Sequence, residues 1–457
     1  LEPSRAAADP NPEVRKLIID SVRYLWKRSL YGTAHDLAER TLERWDRSDF
    51  PGGGPDDTHT LLLRTQLGNV LRSLGRLKEA REVDREVLER FTAARGAEYP
   101  ATLAAAGNVA ADLRALGRYQ EARELDRGTY EVALREFGED HQRTLMYANN
   151  LGMSEYLAGD RRAALDLHRT AYERQRQNQG SMKPRTLNLA NNYARDLRET
   201  GELQKALTLL ETTTRLYQQL LGDGHSDTLR ARKNLAVALR RDGRYAEARD
   251  IDQDIYNRYL EAHGPDHYDT LAVACSLAGD LAALGDTARA LEDYAERALG
   301  RYKDYLGEEH PVTLVCANNM SVYLRLLGRT GESLALSERT VEHLRTALGE
   351  THPYTYSCML NHANDLVAVG RVQEAADVEA RARQGLLAAL GPDHYDVIGS
   401  ASNLSLSLRA LGREAEADAL REDALVRAKR TLGDDHPTTL SIARGVRLDS
   451  DIEPPTT

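Results

Sequence analysis

Long apolar runs are missing from this chain of 457 residues. No stretch of about 18 apolar residues occurs, which excludes a membrane-spanning helix. The opening LEPSRAAADPNPEV has neither the basic segment nor the apolar run of a signal peptide, so a cytoplasmic location is expected. Cysteine is scarce: Cys275, Cys316 and Cys358 form no CxxC pair, which speaks against a zinc knuckle or a disulfide framework and for buried thiols. Basic residues are outnumbered 61 to 71, giving a net charge of −10, the wrong sign for a nucleic-acid partner, whose phosphates demand a basic face. GxxxxGK[ST], HExxH and GxSxG are all absent, so a nucleotide loop, a zincin site and a hydrolase elbow lack their signatures. The pattern predicts a non-enzymatic chain with no cofactor and no metal. It opens on Leu1 rather than Met, from which a longer parent polypeptide is expected.

What is present is 41% apolar and 29% charged residues, enough apolar side chain to cover a large core. One compact globule of this length would be unusual, and the sequence repeats itself. Taking the Thr of each TL start as position zero gives Thr60, Thr102, Thr144, Thr186, Thr228, Thr270, Thr313, Thr355, Val397 and Thr439, spaced by 42 except for one step of 43. Such a period is the mark of a solenoid, whose units bury their apolar faces against their neighbours.

Fifteen residues into each unit stands a glycine, from Gly75 and Gly117 through to Gly412. Glycine ends a helix in the left-handed conformation without steric cost, so a first helix stops there and a second begins. Five residues later comes a small residue, such as Ala122, Ala206 or Ser333, which lets two antiparallel helices approach closely. The second helix, as in YQEARELDRGTYEVALREF, carries apolar residues at three- and four-residue spacing. The predicted organisation is a lead-in over 1–11, a divergent first repeat over 12–47, nine repeats over 48–438, a closing helix over 439–448 and a tail over 449–457. In the divergent repeat Ser29 takes the glycine place, Ala34 the small place and Asp20 the place of a recurring Asn.

The period, glycine and small residue together resemble the tetratricopeptide repeat. LGEEHPVTLVCANNMSVYLRLLGR, residues 306–329, resembles the 42-residue form of the kinesin light chain class. The fold class this implies is all-α, a right-handed superhelical solenoid of about ten helix hairpins. A narrower resemblance rests on DLRALGRYQEARELD, NPEVRKLIIDSVRYLW and DIEPP, which look like the C-terminal repeat region of actinobacterial FxSxx-COOH system tetratricopeptide proteins. That resemblance implies an NB-ARC-type NTPase domain upstream and a role as the ligand-sensing arm of a signalling switch.

In this family first helices line the concave side, and positions 2, 5, 6, 9, 12 and 13 resemble its ligand-facing places. Position 6 reads Gln66, Asn108, Asn150, Asn192, Asn234, Ser276, Asn319, Asn361 and Asn403. An Asn amide offers a donor and an acceptor, which suits the N–H and C=O groups of an extended peptide and ignores its side chains. A second account of the same column is that it braces the next repeat, and the two can coexist. Position 12 carries Arg72, Arg114, Arg198, Arg240, Arg325 and Arg409, a guanidinium column suited to carboxylates. Position 24 holds Asp84, Asp126 and Asp252 in the repeats of Arg72, Arg114 and Arg240, which would spend those cations internally. Arg198, Arg325 and Arg409 are then the better anion ligands, and Ser276 with Ala282 makes the Thr270 repeat the weakest part of the groove.

Seven histidines, among them His310, His352, His394 and His436, stand three residues before the repeat start. Packed helices sit roughly 8 to 10 Å apart while zinc needs ligands about 2 Å from one centre, so loop packing and helix entry account for them better than a metal does. The expected partner is a protein or peptide in the groove. The rival from another class is a structural or oligomerisation scaffold whose channel holds no peptide.

Overall fold

The computed structural model describes residues 6–47 and 49–454; residues 1–5 of the lead-in, Ser48 and residues 455–457 of the tail lie outside the described residues. Every regular element among the described residues is helical. The chain divides between Ser154 and Glu155 into two compact units.

The N-terminal unit holds the hairpins Pro12–Lys27 with Tyr31–Trp45, Thr58–Ser73 with Leu77–Arg95, and Pro100–Ala115 with Tyr119–Phe137. The C-terminal unit continues with Pro184–Glu199 and Leu203–Leu221, Ser226–Arg241 and Tyr245–His263, and Tyr268–Ala283 and its partner, then Pro311–Leu326 and Thr330–Leu348, Pro353–Ala368 and Val372–Leu390, and Tyr395–Ala410 and Glu414–Thr431. The closing helix runs from Pro437 to Arg444 and ends at Gly445 in the left-handed conformation, so extended chain begins earlier than the sequence pattern predicts. The boundary moves because that glycine stops the helix.

The turn inside each hairpin is built by the recurring glycine. Gly117 has φ 75°, and the Arg118 amide reaches back to the Leu113 carbonyl at 2.8 Å, closing the helix end in a Schellman arrangement. Ser29, in the glycine place of the divergent repeat, is the one non-glycine with positive φ among the described residues, at 58°. The small column is sealed: Ala80, Ala122, Ala206, Ala248 and Ser333 are all 0% exposed, so each contact is made by a methyl or hydroxymethyl group with no room to grow. The Thr of the TL start is buried too, and in several repeats its hydroxyl is satisfied locally. Thr186, Thr228, Thr270 and Thr355 donate to the carbonyls of Gly180, Gly222, Gly264 and Gly349 at 2.8–2.9 Å, tying each first helix to the end of the helix before it.

The single 43-residue step has a visible cost in helix geometry. The second helix of the Thr270 repeat runs as Thr287–Arg289 and Glu296–Leu306 with a π-helical stretch, Ala290–Ala295, between them. A one-residue insertion inside an otherwise fixed hairpin is absorbed as a π-bulge, which keeps both ends of the helix in register with their neighbours.

Candidate functional site

The site lies in the C-terminal unit and begins with the asparagines of position 6. Repeats starting at Thr313, Thr355 and Val397 place Asn319, Asn361 and Asn403 on successive first helices, buried to 9% exposure or less. Against them lies the chain's own tail, extended after Gly445. Asn403 donates Nδ2 to the Leu448 carbonyl at 2.7 Å and accepts the Leu448 amide on Oδ1 at 2.9 Å. Asn361 does the same for Ser450, at 2.8 Å in both directions. Asn319 donates to the Ile452 carbonyl at 2.7 Å, while its Oδ1 accepts from Asn318. Each repeat thus holds every second residue of the tail, which runs antiparallel to the order of the repeats.

An extended chain sends alternate side chains to opposite sides, and LDSDIE is written in that period. Leu448 packs with the cluster of Ile398, Ala401 and Ile442, and Ile452 with Val315 and Tyr354. Between them the Ser450 hydroxyl donates to Asp396 at 2.8 Å. The intervening carboxylates meet cations. Arg325 bridges Asp449 at 2.5 Å and Asp365 at 3.1 Å. Arg240 holds Asp451 and Glu453 at 2.8 Å each, Lys233 holds Glu453 at 2.6 Å, and Arg241 donates to the Asp451 carbonyl. Burial would raise the Asp451 carboxyl, but Arg240 and then Arg241 outweigh it and hold it at about 2. Lys233 and Arg240 likewise overcome burial to lower Glu453. A cavity of about 320 Å³ borders the tail, lined by Leu448, Asp449, Ser450 and Asp451 and by residues that include Arg198, Tyr245, Tyr323 and Leu326.

The remaining asparagines and arginines fall elsewhere. Asn234 donates to Asn191 of the preceding repeat at 3.1 Å, a brace between repeats, and Asn361 makes the same contact with Asn318 at 3.1 Å besides its bonds to the tail. Asn192 is half-buried on Pro184–Glu199. Asn108, Asn150 and Arg114 belong to the N-terminal unit, where Asn108 and Asn150 are half-buried. Arg114 there is paired with Asp126 and donates to the Ser154 hydroxyl at 2.9 Å. Arg198 bonds Glu199 at 2.9 Å and the Asn234 carbonyl at 3.2 Å. Arg409 pairs with Asp418 at the exposed surface.

Arg240 departs from the sequence expectation. Its internal partner is Asp280, at 3.0 Å, in place of Asp252. Burial, reinforced by Asp280, pushes the Asp252 carboxyl well up, so Asp252 makes a poor counter-ion and Arg240 keeps donors for the tail. Three of the six arginines at position 12 pair with position 10 of the next repeat, Arg72 with Asp112 at 2.7 Å, Arg240 with Asp280 and Arg325 with Asp365, while Arg72 and Arg114 also hold the expected position 24 acids, Asp84 and Asp126. That acidic column stands in the sequence, in the next unit. Lys233, Asn364 and Arg241 also reach the tail, from positions 5, 9 and 13, outside the asparagine and arginine columns. Asn364 donates to the Leu448 carbonyl at 2.9 Å and to Asp449 at 2.8 Å.

The histidine column caps helices. The Nδ1 atoms of His310, His352, His394 and His436 accept the amide two residues on, at 3.1–3.2 Å. The proton then sits on Nε2, which His352 donates to the Leu157 carbonyl and His436 to the Arg241 carbonyl, both at 3.0 Å. These bonds join the loop before one first helix to the turn five repeats earlier, within the C-terminal unit. Burial holds the His352 imidazole down at about 3. The three cysteines are buried, and the Sγ atoms of Cys275 and Cys316 lie 3.2 Å apart. No helix among the described residues is long and apolar enough to cross a membrane.

Stacked hairpins with this glycine, small-residue and Thr chemistry define a helical-repeat protein. Tetratricopeptide repeat models match residues 57–127, 102–177, 185–261, 234–296, 313–354 and 397–438, more than half of the sequence, and the chain belongs to the tetratricopeptide repeat family. Comparison with curated proteins gives no match. Among solved structures, the chain is similar to a Rap protein complexed with Competence and Sporulation Factor, at 12% identity and TM-score 0.57, over 81% of this chain and 98% of that one. It is also similar to nearly identical kinesin-light-chain-type repeats from Podosopora anserina, at 23% identity and TM-score 0.36, over 43% of this chain and 93% of that one. A third is BtubC from P. vanneervenii, at 16% identity and TM-score 0.36, over 55% of this chain and 92% of that one.

Proposed function

We propose that this chain is a non-enzymatic peptide-binding repeat protein whose C-terminal unit grips extended polypeptide by its backbone. The observation that carries this reading is the pairing of Asn319, Asn361 and Asn403 with alternate residues of one extended segment. Amides that engage only N–H and C=O groups serve any chain of suitable direction and register. The neighbouring Rap structure holds a bound factor, which agrees with a groove of this kind. Following the resemblance of its short motifs, the chain serves in the cytoplasm as the ligand-sensing arm of a larger NB-ARC-type signalling NTPase, with ligand binding altering how the arm docks.

A panel of random extended peptides, presented to the full chain and to its Asn319/Asn361/Asn403→Ala variant, tests the reading. Enrichment of peptides by the parent and loss of that enrichment in the variant is expected. No enrichment by either contradicts it. One observation favours the rival scaffold: the groove is already filled by the tail, which cross-braces repeats through Arg240 and Arg325. A scaffold predicts a mass that rises with concentration in light scattering and a tail that never exchanges.

A further inference from the structure

We infer that the groove selects an extended segment of a second protein in which apolar, small-hydroxyl and apolar residues alternate with acidic ones, and that the chain's own Leu448–Glu453 is its built-in competitor. This rests on the peptide-binding reading and specifies the ligand.

The backbone ladder fixes direction and parity, because Asn403, Asn361 and Asn319 address residues 448, 450 and 452 only. Parity fixes chemistry. The two outer even places are apolar, with Ile398 and Ala401 against a half-buried Leu448 and Val315 and Tyr354 against a buried Ile452. The middle even place presents the Asp396 carboxylate to the Ser450 hydroxyl, so it takes a donor and rejects an anion. The odd places face Arg325, Arg240, Arg241 and Lys233, a cationic wall in a protein of net charge −10. This wall is tied only in part to internal acids: Arg240 uses one nitrogen on Asp280 and two on the tail.

The cavity of about 320 Å³ is lined by Leu448, Asp449, Ser450 and Asp451 alike, leaving room beside the tail for side chains longer than those it carries. A tail joined through the turn at Gly445 is present at high effective concentration, so a foreign segment competes against a covalently supplied one. Binding therefore releases the tail.

The test uses the full chain and the peptide VRLDSDIEP, which copies residues 446–454. The groove is opened in the full chain by Asp449→Lys with Asp451→Lys, which sets cations against Arg325 and Arg240. The opened variant should bind the labelled peptide at least tenfold more tightly than the parent. The isomer VRLSIDDEP, of equal composition without the alternation, and the phosphoserine form should bind at least tenfold more weakly than VRLDSDIEP. Equal binding of the isomer overturns the selectivity while leaving a general peptide groove standing. Failure of every peptide to bind a folded, opened variant overturns the peptide-binding reading itself. Hydrogen exchange on the unmodified chain tests the competition without any substitution. Excess VRLDSDIEP should deprotect the tail amides and the isomer should not, and unchanged protection with both overturns the proposal.

Discussion

Asn361 and Ser450 exchange two hydrogen bonds, Nδ2 to carbonyl and amide to Oδ1, each 2.8 Å long. This is how a strand neighbour would hold Ser450, supplied here by one side chain on a helix. Asn361 is 0% exposed and also bonds Asn318, so it serves the tail and the stack of repeats together.

Replacing Asn361 by Ala should therefore cost about 1–3 kcal/mol, because the Ser450 groups are left buried without partners. Thermal melting reads the loss. Asn234→Ala should cost less, since its amide makes a brace to Asn191 and does not touch the tail.

Arg240 and Arg409 share position 12 and should behave differently. Arg240→Met strands the buried Asp280 carboxylate and takes one cation each from Asp451 and Glu453, and about 3–5 kcal/mol of destabilisation is expected. Arg409→Met breaks an exposed pair with Asp418 and should stay within about 1 kcal/mol. Similar denaturation midpoints for the two variants would refute the assignment of Arg240.

Gly243 and Gly285 separate turn strain from the contact between distant repeats. Both have positive φ, 79° and 87°, so alanine is strained at each. A Cβ at Gly243 would also stand 2.6 Å from Cδ of Pro437, whereas one at Gly285 meets nothing within 4 Å. Gly243→Ala should lower the melting temperature more than Gly285→Ala, and equal shifts would show that the contact with the closing helix adds nothing.

Much of this fold was legible because it is periodic. Glycine, small residue and Thr recur for local reasons that one repeat suffices to state, and the 43-residue step marked the hairpin that bulges at Ala290–Ala295. Arg240's partner is not legible within its own repeat, because Asp280 stands in the next. Within the repeat pattern the tail is only a short end. Its alternation of Leu448, Ser450 and Ile452 with acids was present, but only contact with Asn403, Asn361 and Asn319 gives that alternation a use.

Acid should loosen the molecule in two stages. His352 is neutral when folded, with Nδ1 accepting an amide and Nε2–H donating to Leu157, and burial holds it at about 3 against an ordinary 6.5. The unfolded imidazole binds the proton more readily, so this contribution is whole above pH 6.5 and declines as pH falls toward 3. Asp451, held at about 2 against an ordinary 3.8, contributes fully above 3.8 and loses that contribution as pH falls toward 2. Melting followed against pH should show weakening begin below 6.5 while the tail stays docked to near 4, and tail release above pH 6 would contradict this order.

The most direct test of the asparagine ladder is residue-resolved amide exchange across the tail by NMR. Leu448 and Ser450 donate their amides to Asn403 and Asn361, and among the described residues the amides of Asp449 and Asp451 meet no asparagine acceptor of this kind. The account predicts slow exchange at Leu448 and Ser450 and faster exchange at Asp449 and Asp451, with the contrast at Ser450 erased by Asn361→Ala. Uniformly fast exchange from Val446 to Glu453, or protection with the opposite parity, would contradict it.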